Sequence, residues 1–197
     1  MPVAFHSASS TTGPSGGFTD AEIETIAKFP LATIEKWQGS TAVDTKGNPV
    51  FVWEEDAMIA GARQIKEKSP STSIVVWFDS MRIYTGWFFP PGSQPGVNHT
   101  LNPDAKGACA TGHFRPAGFL ETHPSEYILH TSTGGDAMDS WSHCHLFDFT
   151  QQAAREYWMD MCLNMTASGV IDGCGADASW QLACGVPASG DTALTSD

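Results

Sequence analysis

The sequence predicts an α/β protein of the (β/α)8 TIM-barrel type that holds only about the first four strands, a half-barrel or fragment. Three observations predict it. Strand-like and helix-like segments alternate along the 197 residues, as parallel sheets with right-handed crossovers require. The segment Ser73–Asp79 (SIVVWFD) is a continuous apolar run, expected where a parallel strand is covered on both faces. Neither GxGxxG nor GxxxxGK[ST] occurs, so the nucleotide-binding versions of such sheets lose ground and no cofactor is implied.

The elements follow in order. Residues 2–7, with Val3, Ala4 and Phe5, suffice for a short first strand, and a Ser/Thr/Gly/Pro loop runs to Gly17. Thr19 and Glu22 have capping-box spacing, and Phe18 and Ile23 stand where a hydrophobic staple needs them. That helix is expected to reach about Lys28 and to stop before Pro30. Leu31–Trp37 (LATIEKW) reads as the second strand. A polar stretch over 44–49 leads to a helix from about Glu54 to Lys68, with Met58, Ala62 and Ile65 on one stripe. Glu54, Glu55 and Asp56 stand at its positive dipole end.

Residues 88–145 break the rhythm with half of the prolines and six of the seven histidines. A structureless loop of that length is improbable in a compact domain. The stretch is therefore expected to form an excursion with short strands of its own, for example over 126–131. Thr150 can cap a helix to about Ala167, with Gly169 as its left-handed stop. Val170–Asp177 (VIDGCGAD) is the fourth strand. Residues 1–180 thus make a partial barrel, and 181–197 a flexible tail.

Composition narrows the partners. With 22 acidic against 10 basic side chains, a formal charge of −12, the chain repels nucleic acid and anionic membrane surfaces. Neutral ligands carry no such penalty. Seven Trp, eleven Phe and three Tyr supply core area and are compatible with sugar stacking. The N-terminus shows neither the basic nor the apolar region of a signal peptide. Two sequons, Asn98-His99-Thr100 and Asn164-Met165-Thr166, and five cysteines leave a secretory route open.

In barrels the working residues gather at the carboxyl ends of the strands. Those ends here carry His6, then Glu35 with Lys36, then Asp79, then Asp177. Alternation puts Gly173, Gly175 and Asp177 on one face of the last strand, with the glycines clearing space beside Asp177. Val75, Trp77 and Asp79 share a face of the third, an aromatic plate beside a carboxylate. Asp172 faces the opposite way at its strand's entrance, where it can accept backbone hydrogen bonds.

The segment DFTQQAAREYWMDMCLNMTASGVIDGCGADAS (148–179) resembles the strand-three-to-strand-four region of retaining glycosidases of the alpha-glucosidase and alpha-galactosidase kind. It matches at Asp148, Phe149, Thr150, Arg155, Trp158, Gly169, Asp172, Gly173 and Asp177. It departs at Ile171 and where proline is usual, at Gln152 or Ala153. FHSAS, FPLATIEKWQG and VVWFDSMRIYTGW are similar to a less characterised group of glycosyl-hydrolase-like barrel proteins. The resemblance implies a glycosidase in which Asp177 is the nucleophile, with Asp79 as a second catalytic candidate. Asp79 and Glu35 would hold sugar hydroxyls, Trp77 or Trp37 would stack, Lys36 would keep a neighbouring carboxylate ionised, and His6 and Asp148 complete the substrate-binding candidates. In the resembled enzymes the acid/base comes from near strand six. A second half, or assembly of two copies, would then be needed.

Two rival readings remain. A non-catalytic carbohydrate binder on an incomplete barrel would keep the aromatic plates and lack the acid. A metal site could draw on His143, Cys144 and His145, since zinc accepts such ligands, although no CxxC-type spacing is present. Surface histidines and a Cys109–Cys144 disulfide are the plainer account of that stretch.

Overall fold

The computed structural model describes residues 4–7, 17–35, 38, 46, 53–79, 82–83, 127–137 and 145–177, with the backbone alone at 82, 83 and 177. In chain order the elements are β1 (Phe5–Ser7), α1 (Asp20–Ile26), β2 (Leu31–Glu35), α2 (Glu54–Lys68), β3 (Ser73–Asp79), β4 (Arg82–Ile83), β5 (His145–Leu146), α3 (Gln152–Thr166) and β6 (Gly173–Asp177). The fold is mixed α/β around a four-stranded parallel sheet of order β1-β2-β3-β6. The chain divides into two compact units, Met1–Phe78 with Met159–Ala176, and Asp79–Trp158 with Asp177–Asp197.

The first unit holds the sheet, apart from the terminal residues of β3 and β6. The capping box expected at the start of α1 forms. The Thr19 hydroxyl accepts the Glu22 N–H and the Glu22 carboxylate accepts the Thr19 N–H, so two orphan donors are met reciprocally. Phe18 and Ile23 are both buried. The helix stops at Ile26, with Ala27 as its cap, slightly short of the expected Lys28.

Helix α2 coincides with its expected span, and Met58, Ala62 and Ile65 are fully buried with Ala57. Glu54 and Glu55 in its first turn are buried too, which the sequence pattern did not signal. Its packing against the segment before α1 is close. The Gln64 side-chain amide brackets Phe18, accepting its N–H at 2.8 Å and donating to its carbonyl at 3.0 Å. The Phe18 ring lies over Gly61, where an added Cβ would stand 2.8 Å from Cε2. Only glycine permits that approach. Lys68 also pairs with Glu24, joining α2 to α1.

In the sheet, Phe5 pairs with Ala32, Ala32 with Ile74, and Ile34 with Val76. Alternation then puts Ala32, Ile34, Ile74, Val76 and Phe78 on one face, and all five are buried. Helix α2 contacts β2, and its buried stripe accounts for that face. The other face carries Thr33, Val75 and Trp77, each half-buried. The apolar run of β3 therefore has one fully covered side and one partly open side.

Strand β2 is described from Leu31 to Glu35, and the expected remainder, Lys36 and Trp37, lies outside the described residues. Strand β6 begins at Gly173 rather than Val170, because Asp172 is spent on anchoring the entrance. The Asp172 Oδ2 accepts the Ile74 N–H at 2.7 Å and the Lys66 ammonium at 2.8 Å, while its own N–H donates to the Ile74 carbonyl. The backbone-accepting role expected of Asp172 is the one it has.

The Lys66 hydrogen bond, the Ile74 N–H and the Lys66 charge hold the Asp172 carboxyl below the ordinary aspartate range, against a smaller upward push from partial burial. A carboxyl depressed in the folded state adds stability above its unfolded pKa, and loses it as pH falls through the folded value. Asp172→Asn is expected to lower the urea midpoint near neutrality and to shrink the gap from wild type below about pH 4. The side chain is 48% exposed, so solvent screening keeps the effect small. A constant gap across that pH range would show that the charge contributes nothing.

Alpha-helix α3 supplies its C-terminal part to the first unit. Met165 is buried there, and Gly169 at φ 74° ends the segment in the left-handed region, as its position in the sequence predicts. A disulfide joins Cys162 of α3 to Cys174 of β6, with Cα atoms 5.8 Å apart.

In the second unit, β4 and β5 pair antiparallel, Arg82 with Leu146 and Ile83 with His145. The strand expected over 126–131 is not continuous. Ile128 bridges Phe147 and His130 bridges Asp136, around a turn at Thr131–Gly135. Ile128, Phe147 and Ala154 form a small core, flanked by Tyr127, Phe149 and Tyr157. Among the described residues no helix is long and apolar enough to cross a membrane.

Candidate functional site

Strands β3 and β6 close on Asp79 and Asp177, where the sequence places them, the described part of β2 reaches Glu35, and β1 runs one residue past His6 to Ser7.

Within the first unit, the partly open sheet face gathers His6, Thr33, Glu35 and Trp77. Register accounts for it, since His6 pairs with Thr33 and Glu35 with Trp77 across neighbouring strands. His6 Nδ1 and Thr33 Oγ1 are 2.5 Å apart, and His6 Nε2 lies 3.5 Å from Glu35 Oε1. The Thr33 hydroxyl also reaches the Phe5 carbonyl at 3.3 Å. The imidazole meets the Trp77 indole edge-on, with centroids 5.6 Å apart and planes at 71°. Glu35 is largely buried, at 12% side-chain exposure, whereas His6 is 48% exposed.

Gly175 supports this arrangement. A Cβ there would stand 3.0 Å from the Trp77 Nε1 and 3.1 Å from Cε2, so the indole lies directly against the β6 backbone. The sequence reading gave this clearance to Asp177. The space at Gly175 is instead taken up by Trp77. Gly173 similarly faces Val75, at 4.0 Å.

Chemically, the face offers an aromatic ring, a carboxylate and an imidazole with an accessible edge. Such groups can stack on an apolar sugar face and exchange hydrogen bonds with hydroxyls. Thr33 was not singled out from the sequence, because a β-branched residue in mid-strand carries no functional signal by itself.

The remaining predicted residues are placed as follows. Asp79 is buried in the second unit, and its carbonyl accepts the Trp158 indole N–H at 3.3 Å. Asp177 ends β6, and its side chain lies outside the described residues, as do Lys36, Trp37, His143 and Cys144. Asp148 is engaged in a turn before α3: Oδ1 accepts the Thr150 N–H at 3.0 Å and hydroxyl at 2.6 Å, and Oδ2 accepts Gln151 Nε2 at 3.3 Å. Thr150 therefore serves that turn, and Arg155 donates to the Phe149 and Thr150 carbonyls. His145 is buried, with Nδ1 3.6 Å from Asp136, which also pairs with His130 at 3.1 Å. Among the described residues no group of three or more His, Cys, Asp or Glu is arranged to hold a metal.

The Cys162–Cys174 bond was missed, and Cys109 and Cys144 are both outside the described residues. A signal existed in retrospect: Cys162 lies on the inward stripe of its helix and Cys174 on the helix-facing side of the next strand. Comparison with known proteins yields no matching family model and no matching curated protein.

Proposed function

We propose that this chain is a carbohydrate-active protein of the glycoside-hydrolase kind, built on the first four strands of a (β/α) barrel. The observation that carries the reading is the Trp77 indole, seated on Gly175 beside His6 and the buried Glu35. A flat aromatic surface flanked by a carboxylate and an imidazole suits a neutral polyhydroxy ligand, and a charge of −12 does not oppose one. The barrel reading is supported by strand order. The parallel strands are neighbours in the order in which the chain makes them, without the reversal that defines a doubly wound sheet.

In this proposal Trp77 stacks on the sugar while Glu35 and His6 bind hydroxyls. The resemblance of residues 148–179 gives Asp177 the role of nucleophile, attacking the anomeric carbon, and a second carboxyl group protonates the departing oxygen. Non-catalytic carbohydrate binding is the alternative, favoured by the same Trp77 face if no turnover accompanies it.

Aryl glycosides of both anomeric types, assayed with wild type, Asp177→Asn and Trp77→Ala, test the proposal. Asp177→Asn should cut kcat by at least about a thousandfold. Trp77→Ala should weaken ligand binding by roughly tenfold, about 1.4 kcal/mol. Equal turnover by wild type and Asp177→Asn would remove Asp177 from the mechanism. Binding without turnover would favour the binder, and neither binding nor turnover would end the carbohydrate reading.

A further inference from the structure

The sequon Asn164-Met165-Thr166 has no part in the carbohydrate site, and all three residues are described. We propose that Asn164 is a site of N-linked glycosylation, carrying an oligosaccharide on its side-chain amide. This does not rest on the function proposed above.

Geometry is the first support. Asn164 is exposed in the last turn of α3, while Met165 beside it is buried. No described residue hydrogen-bonds the Asn164 amide, so a substituent there displaces no contact. The helix ends two residues later at Thr166, and Gly169 turns the chain away in the left-handed region. A bulky group rooted at Asn164 therefore projects into solvent from the end of a helix. Leu163, which is 56% exposed, precedes Asn164 in the chain, and Met159, at 51%, lies five residues earlier.

Chemistry of compartment is the second and independent support. Two residues before the acceptor, Cys162 is bonded to Cys174. Disulfides form and persist in oxidising compartments such as the lumen of the endoplasmic reticulum, where sequons also meet the transferring enzyme. The donor class is a polyprenyl-pyrophosphate-linked oligosaccharide. The Asn164 amide nitrogen attacks the anomeric carbon, a carbon–nitrogen bond forms and the carbon–oxygen bond to pyrophosphate breaks. The lipid pyrophosphate leaves, and the amide gives up one proton to the transferring enzyme's base. Transfer acts on the extended nascent chain, before the Thr166 hydroxyl settles onto the Leu163 carbonyl as it does in the folded helix.

The test expresses the full chain behind a cleavable secretion leader in a eukaryotic host. Asn98→Gln serves as background, so that only one sequon remains. The peptide carrying residue 164 should be one glycan heavier than its sequence mass. An amide-cleaving glycosidase should convert it to the aspartate form. Asn164→Gln and Thr166→Ala should each lose the glycan completely, and Thr166→Ser should retain it. Cell-retained chain is digested alongside secreted chain, because transfer precedes folding and the readout survives retention. Unmodified Asn164 in both fractions, with the Cys162–Cys174 bond formed, would overturn the proposal.

Discussion

Phe78→Ala is expected to destabilise the protein by about 3–5 kcal/mol, a large part of the ~5–15 kcal/mol that holds an ordinary domain together. Among the described residues Phe78 is the largest of the fully buried side chains, at 1% exposure, near the end of β3 on its buried face. Truncation removes apolar area and leaves a cavity that the rigid sheet cannot close. Val75→Ala, on the opposite and half-buried face of the same strand, should cost clearly less. Urea unfolding of both variants checks this. Equal losses at the two positions would contradict the one-sided burial described for β3.

Removing the Cys162–Cys174 bond, by reduction or by paired serine substitution, is expected to cost about 2–4 kcal/mol. The cross-link closes a short loop, its ends 12 positions apart in sequence, and most of its effect comes from restricting the unfolded chain. Its location adds to the effect. Strand β6 lies at one end of the described sheet, and Gly173 and Gly175 give it little side-chain packing of its own. The bond from Cys174 to α3 holds that strand where packing alone is thin. Denaturant midpoints of the oxidised and reduced protein should differ accordingly. Coincident midpoints would show that β6 is held by its backbone pairing alone.

Gly175 and Trp77 show why the site was only partly legible. Alternation along each strand placed Trp77 on the face of Val75 and Gly175 on the face of Gly173, and both assignments hold. Alternation cannot say which neighbour fills the room a glycine leaves. That depends on register between β3 and β6 and on the side chain's rotamer, both decided by packing. His6 and Glu35 were legible as strand-end groups because a polar residue closing an apolar run marks the edge of the sheet. The meeting of His6 with Thr33 was not, since it follows from pairing residues 27 positions apart. Asp148 misled for a local reason. Asp-Phe-Thr can serve a ligand or its own turn, and here the carboxylate is spent on Thr150 and Gln151.

By itself the sequence determined the α/β class, the Thr19–Glu22 box, the span of α2, the Gly169 stop and the extent of β3, because each depends on short-range capping, periodicity or backbone freedom. Tertiary structure alone decided the Cys162–Cys174 bond, the Trp77 seat on Gly175, the burial of Glu54 and the pairing of Asp172 with Lys66. Those features join residues distant in the chain, and side-chain contacts at that range exist only after the strands have taken their register and the helices have closed over them.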